Sequence, residues 1–403
     1  MARIDRRATG RKLLRLLGRI DHQRNLIIEN DQEWDDILAL ASEHRLMPLL
    51  HARIERGEIA LSMPDEHRER LRLAHRESAL LNLAYRTEMF AAAETLAAAG
   101  MQPVALKGAW LAWYAYPSAA ERPLRDIDLL LPAKQALPAF ELLRANGFRQ
   151  TEASSSAPAD MIGRAKHLPP LTSPSGVEFE IHMHAWEPRG AVEWPMPPLI
   201  DDRIIAHARP GGAGDPCLYP KPQHMLAHLC IHAAYSHRFD VGPLVLSDID
   251  ALIHREQIDW ASFWRDAHEG GWHRGAALVM RLYFLWMQRD IQVLSGSEPL
   301  APMDAVDAAE SLLFQNPAQR RDLGAAASVY AKGGVISRIG QISRRLAGGN
   351  RARVPAGGEP PESFPTWIVR RGKQSAAAIA DKNLRAAARQ HARVGEWLDE
   401  GKA

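Results

Sequence analysis

Between residues 177 and 184 polar and apolar side chains alternate without a break: Val177-Glu178-Phe179-Glu180-Ile181-His182-Met183-His184. A period of two belongs to extended backbone, where successive side chains point to opposite faces. Val177, Phe179, Ile181 and Met183 then form a face that must be covered, while Glu178, Glu180, His182 and His184 share the other. A chain holding this segment has to build a sheet with one apolar face and one that carries acid and imidazole. Just upstream, residues 167–172 followed by Ser173-Pro174-Ser175-Gly176 predict the first arm and turn of a β-hairpin, with proline and glycine supplied where the turn needs them.

Two more short strands precede it. Pro103-Val104-Ala105-Leu106-Lys107 reads as a buried strand punctuated by Gly108, and Asp126-Ile127-Asp128-Leu129-Leu130-Leu131 as a second, ended by Pro132. Helices are expected over 109–116 and 133–146, and a Ser/Ala/Pro-rich loop over 151–165. The flanks are helical. Ile37, Leu38, Ala41 and Leu46 keep helical spacing, and Leu71, Leu80, Leu81, Leu83, Phe90 and Leu96 mark one or two long amphipathic helices that stop at Ala99-Gly100. Further helices are expected over 223–237, 242–255, 260–269, 275–291, 302–314 and 375–400. This pattern predicts an α+β fold, a small mixed β-sheet between helical regions. The expected organisation is an N-terminal helical region (1–100), an α/β core (101–200), a C-terminal helical region (201–346), a linker (347–365) and a basic tail helix (366–403).

Composition excludes several classes. With 403 residues, 46% hydrophobic and 24% charged, the chain is neither disordered nor collagenous. Its two cysteines, Cys217 and Cys230, build neither a disulfide framework nor a cysteine-rich zinc site, so a reducing cytoplasm is the expected location. No apolar run approaches the ~20 residues of a membrane span, and the basic N-terminal stretch lacks the apolar core of a secretory signal. The formal charge of +2 hides an uneven distribution: residues 1–25 hold eight Lys/Arg against two Asp/Glu, residues 331–403 fourteen against six, and residues 26–330 28 against 40. An acidic body is a poor partner for duplex DNA, whose affinity comes from phosphate neutralisation. The basic ends read as solvated tails.

The chemistry gathers in the centre. Asp126 and Asp128 fall on one face of a strand, and adjacent carboxylates repel unless cations sit between them. Hard oxygen donors at this spacing suit Mg²⁺, which accepts substrate phosphates into the rest of its shell. Gly108 lets backbone pass close to a ligand at the start of the next helix, whose N–H groups attract anions. If the 177–184 strand lies beside the Asp126–Asp128 strand, Glu178 or Glu180 completes a two-metal site, one ion activating a hydroxyl and the other holding the triphosphate and leaving pyrophosphate. Lys107 and Arg125 are either phosphate donors or structural partners of these acids. His182 and His184 face substrate and metal or serve structure. His228 and His232, four apart on a helix, have zinc-chelating spacing in surroundings that also suit plain packing. Asp248 and Asp250, near a helix start, read as capping or packing groups.

Leu106-Lys107-Gly108-Ala109 and Arg122-Pro123-Leu124-Arg125-Asp126-Ile127-Asp128-Leu129-Leu130-Leu131 together resemble the signature of the DNA polymerase β-like nucleotidyltransferase superfamily, above all its bacterial branch labelled "nucleotidyltransferase family protein". Residues 41–50, Asn82 with Arg86, Glu180-Ile181-His182, and Leu229-Cys230-Ile231-His232 followed by Asp248 extend the resemblance over about 35–290. The resemblance implies catalytic, metal-binding roles for Asp126, Asp128 and Glu180, with Glu180 chosen over Glu178 because it stands two residues before His182. It places Lys107, Gly108, Ala109 and Arg125 at the nucleotide. Mg²⁺, as two ions for which Mn²⁺ can substitute, would be the cofactor, and an NTP such as ATP the substrate. Ala109 departs from the superfamily's usual Gly-Gly or Gly-Ser turn, and a glutamate replaces its common third aspartate. The implied reaction moves an NMP to a hydroxyl, amine or phosphate of a small-molecule or peptide acceptor, with no membrane and no duplex DNA involved. The acceptor would come in between the core and the C-terminal helices. The sequence names neither the acceptor nor the oligomeric state. Two other readings share the Asp-X-Asp motif: a metal-dependent glycosyltransferase, which needs a longer α/β sheet before Asp126, and an inert nucleotide-binding module.

Overall fold

One mixed sheet of seven strands carries the centre of the chain, in the order β3–β4–β5–β2–β1–β7–β6. It is seen in a computed structural model that describes residues 5–18, 23, 26–59, 61–151, 157–192, 195–287, 300–316 and 382–399. The strands are β1 (Val104–Ala105), β2 (Ile127–Leu130), β3 (Arg149–Gln150), β4 (Leu171–Thr172), β5 (Glu178–His182), β6 (Arg209–Pro210) and β7 (Leu218–Tyr219). The central pair is parallel, with Ile127 opposite Phe179, Asp128 opposite Glu180, Leu129 opposite Ile181 and Leu130 opposite His182. β1 runs antiparallel to β2, and β4 antiparallel to β5 as the hairpin predicts. Gly176 takes φ 95° in the hairpin turn, a value that suits glycine.

Helices cover the sheet and extend beyond it. The N-terminal ones are α1 (Arg6–Leu17), α2 (Asp31–Glu43), α3 (Met47–Glu55) and the 34-residue α4 (Asp65–Ala98). α5 (Gly108–Trp110) runs straight into a π-helical turn over Leu111–Ala115, and α6 (Ala133–Ala145) packs on β5. The C-terminal set is α7 (Pro222–Ile231) with a π-helical turn over His232–Ser236, α8 (Leu244–Arg255), α9 (Trp260–Glu269), α10 (His273–Trp286), α11 (Met303–Leu313) and α12 (Lys382–Asp399). Within the expected 151–165 loop, Pro158–Met161 forms one helical turn. The 347–365 linker and the outer parts of the 275–291 and 375–400 helices lie outside the described residues.

Two expectations need correction. Leu80, Leu81 and Leu83 do not mark the buried side of α4; they are 68%, 49% and 56% exposed. At its middle α4 faces a polar loop rather than the core, so its inward residues there are Ser78 and Asn82. The buried Asn82 amide donates to the carbonyls of Ala119 (2.5 Å) and Arg122 (3.0 Å), and its oxygen accepts from the Leu124 N–H at 3.1 Å. Nor are the described parts of the basic ends, residues 5–18 and 382–399, solvated tails. α1 buries Leu13, Leu14, Leu16 and Leu17, and α12 buries Leu384, Ala388, Val394 and Leu398 against α11 and α10. Their arginines occupy the outer faces of amphipathic helices, which charge counting alone does not distinguish from tails. Among the described residues no helix is long and apolar enough to cross a membrane.

Candidate active site

The parallel register of β2 and β5 sets Asp128 and Glu180 side by side on one face of the sheet, with Asp126 and Glu178 one pleat earlier on their strands. All four acids line one cavity of about 320 Å³. Lys107, at the end of β1, reaches across to Asp128 (Nζ to Oδ2, 2.9 Å). The His182 Nε2 lies 2.7 Å from Asp128 Oδ1 and 3.0 Å from Glu180 Oε2, while its Nδ1 faces the His184 carbonyl oxygen at 3.1 Å. Both ring nitrogens face acceptors, so the fully buried ring is arranged as a doubly protonated cation. Lys166 (4.0 Å) adds positive charge near Glu180, and the His167 ring lies 3.5 Å from the same carboxylate.

The acids respond differently to these neighbours. Burial pushes Asp128 upward, but the charges of Lys107 and His182 outweigh it and hold the carboxyl well below its usual range. Glu180 is likewise driven to about 2, its hydrogen bond from His182 overcoming burial. Asp126 goes the other way, raised by burial and by the charge of Asp128, and has no ion pair among the described residues. His182 is raised despite burial because Asp128 faces it. Burial lowers His167 to about 4.

At the turn the residue with a positive φ is Lys107 (φ 47°, ψ −118°). Gly108 is required for space, since a Cβ there would collide with the Arg122 guanidinium and with Leu124. Ala109 is buried and does not line the cavity; its N–H bonds the Leu106 carbonyl (3.3 Å) and that of Trp110 the Lys107 carbonyl (3.2 Å), so neither is left for a ligand. Arg125 is exposed at the cavity rim, with its carbonyl accepting from the Tyr85 hydroxyl at 2.7 Å.

His184 leaves the shared face, because β5 ends at His182 and the next turn carries His184 to Asp201 (2.7 Å). His228 is buried with no hydrogen-bond partner for either nitrogen among the described residues, its ring 6.0 Å from that of His232, and burial holds both well below the usual histidine range. His232 lines the cavity. Asp248 caps no helix; it is buried and receives Arg122 through two nitrogens (2.9 and 3.1 Å) and the Tyr116 hydroxyl at 2.9 Å. Asp250 accepts from the Tyr283 hydroxyl at 3.1 Å.

Sequence reading missed Arg45, Lys166 and His167. His167 pairs with His182, so counting back along the hairpin locates it to within a residue. Arg45 stands about 80 residues before Asp126, and nothing in the local pattern marks it.

The donor set fits a divalent cation. Ligand atoms of Asp128, Glu180 and His182 lie within 4.8 Å of one another, and Asp126 adds a carboxylate with no cation of its own. Two nitrogen-borne charges, on Lys107 and His182, now stand against these acids.

A central parallel pair bearing acids beneath a Lys-Gly turn, in a mixed sheet flanked by helices, is the α+β architecture of a nucleotidyltransferase. The chain belongs to the family described as "Uncharacterised nucleotidyltransferase", whose profile matches residues 30–288. No curated protein and no solved structure matches it. The described residues ahead of β1 form helices and their connections, so the longer sheet that a glycosyltransferase reading needs before Asp126 is not present among them.

Proposed function

We propose that the chain transfers an NMP from an NTP to a hydroxyl of a small-molecule or peptide acceptor and releases pyrophosphate. An amine or a phosphate could replace the hydroxyl. The observation that carries this reading is the pairing of Asp128 with Glu180 on adjacent parallel strands, with Asp126 beside them, in a member of a nucleotidyltransferase family. Asp126, Asp128 and Glu180 are the residues assigned to hold Mg²⁺, for which Mn²⁺, also a taker of carboxylate oxygens, can substitute. When bound, two such ions would polarise the α-phosphate and favour the ionised acceptor hydroxyl. Lys107 and Arg125 supply positive charge to the phosphates, and Gly108 keeps the turn narrow enough for the donor to lie against it. Leu229, Leu244 and Val245 of the C-terminal helices, with Val241 of the turn before α8, add apolar lining to the same cavity. That lining excludes water and leaves the acceptor to approach between core and helices.

Calorimetric titration of the four NTPs with Mg²⁺ tests this, using wild type and Asp126→Ala/Asp128→Ala. Selective binding that disappears in the double variant is the expected result. Failure of the folded wild type to bind any NTP would sink the proposal.

A further inference from the structure

The corner between α2 and α3 brings an arginine into the cavity in a conformation that the backbone does not favour. α2 closes with the Leu46 N–H on the Ala41 carbonyl (2.7 Å) and the Arg45 N–H on the Ser42 carbonyl (3.0 Å). This is the Schellman arrangement, whose left-handed position is normally glycine. Here it is Arg45, at φ 60°. A left-handed backbone is unfavourable for a residue with a Cβ, and strain of this kind gathers where a side chain is needed in one place.

Arg45 lines the same cavity as Lys107, Gly108 and Asp126. The charges acting on it include Arg122, Asp126, Asp248 and Arg125, and Arg122 itself packs over Gly108. Of the other cations nearby, Lys107 pairs with Asp128 and Arg122 with Asp248, while Arg125 stands exposed at the rim. Arg45 makes no ion pair among the described residues, although it is drawn out of water beside a second guanidinium. Burial lowers its pKa only to about 10, so it remains charged at neutral pH. A guanidinium so placed calls for an anion with several oxygens, which its fork of donors grips better than an ammonium does.

We propose that Arg45 binds the polyphosphate of the nucleotide donor, so that a helical corner outside the catalytic sheet completes the nucleotide site. This rests on the nucleotidyltransferase reading and adds a residue to it. An anionic group on the acceptor is the competing ligand, and inorganic pyrophosphate separates the two because it carries no acceptor.

The test titrates pyrophosphate with Mg²⁺, and in parallel the NTPs, into wild type, Arg45→Gln, Arg45→Lys and Arg45→Gly, and records thermal unfolding of each. Losing charge-assisted hydrogen bonds should weaken pyrophosphate binding about 10- to 100-fold in the Gln and Gly variants, with Lys retaining part of the affinity. Arg45→Gly should also unfold at a higher temperature than wild type, because glycine relieves the left-handed strain. A purely structural arginine would show the reverse. Wild-type affinity in Arg45→Gln, or a lower melting temperature in Arg45→Gly, overturns the proposal and leaves the nucleotidyltransferase reading standing. Absence of both NTP and pyrophosphate binding in wild type removes the two together.

Discussion

Asp126 and Asp128 stand two residues apart on one face, yet metal-free stability should treat them oppositely. Asp128 is buried between Lys107 and His182, so Asp128→Asn takes from the Lys107 ammonium its ion-pair partner and from His182 one of its two acids. Breaking a buried pair from one side typically costs about 3–5 kcal/mol. Asp126 has a folded pKa above its unfolded one, which means that its ionised form opposes folding at neutral pH. Asp126→Asn should therefore leave stability unchanged or raise it, while both changes abolish Mg²⁺-dependent nucleotide binding. Urea unfolding of the two variants without metal checks the contrast, and equal destabilisation would contradict this account of the electrostatics. The shared face of these residues was legible because a period of two leaves no other placement for alternating acids. Their inequality was not. It comes from Lys107 and His182, whose positions depend on how β1 and β5 pair with β2.

At the scale of elements, α4 shows how far periodicity carries. Spacing from Leu71 to Leu96 specifies a long helix, and the structure has one. It does not specify which face turns inward, because the middle of the helix packs on the 119–124 loop, where the buried residue is Asn82. That side chain answers two carbonyls and one N–H of the loop that leads into β2, and so sets where Asp126 begins. Asn82→Ala leaves these buried backbone groups unanswered and should cost about 1–3 kcal/mol. Leu80→Lys, on the exposed side of the same helix, should stay within about 0.5 kcal/mol of wild type. Chemical denaturation distinguishes them, and a larger loss in Leu80→Lys would mean that the outer leucines are covered. The Asn82 variant should also weaken NTP binding through the loop it holds. Hydrophobic spacing cannot reveal such a residue, since its value lies in polar partners about 40 positions away.

Over the whole molecule, buried histidines make acid the weak side. His228 and His232 are held well below the usual histidine range by burial, while His167 and His391 are driven to about 4 and about 3. Each has a folded pKa below its unfolded value near 6.5, so the unfolded chain takes up protons that the folded chain refuses, and stability falls as pH drops below about 6.5. Each such group contributes up to about 1.4 kcal/mol per pH unit in that window. Four acting together reach the order of a domain's entire stability, about 5–15 kcal/mol, within one or two units. His182 and His254 are shifted upward, the latter to about 9 and half-exposed. Their stabilisation is fully present once the pH is below the unfolded value near 6.5, so further acidification adds nothing to offset the loss. Thermal unfolding should thus move to markedly lower temperature between pH 7 and pH 5.5. His228→Leu, which removes a buried imidazole with no hydrogen-bond partner among the described residues, should shallow that dependence by one proton's worth. Its melting temperature at neutral pH should hold or rise. A dependence left unchanged in His228→Leu would mean that His228 is protonated in the folded chain and that a partner for it sits in the cavity wall. The histidines were visible in the sequence, four apart on one helix, but the sign of their effect was not, because it follows from burial beneath the C-terminal helices rather than from spacing.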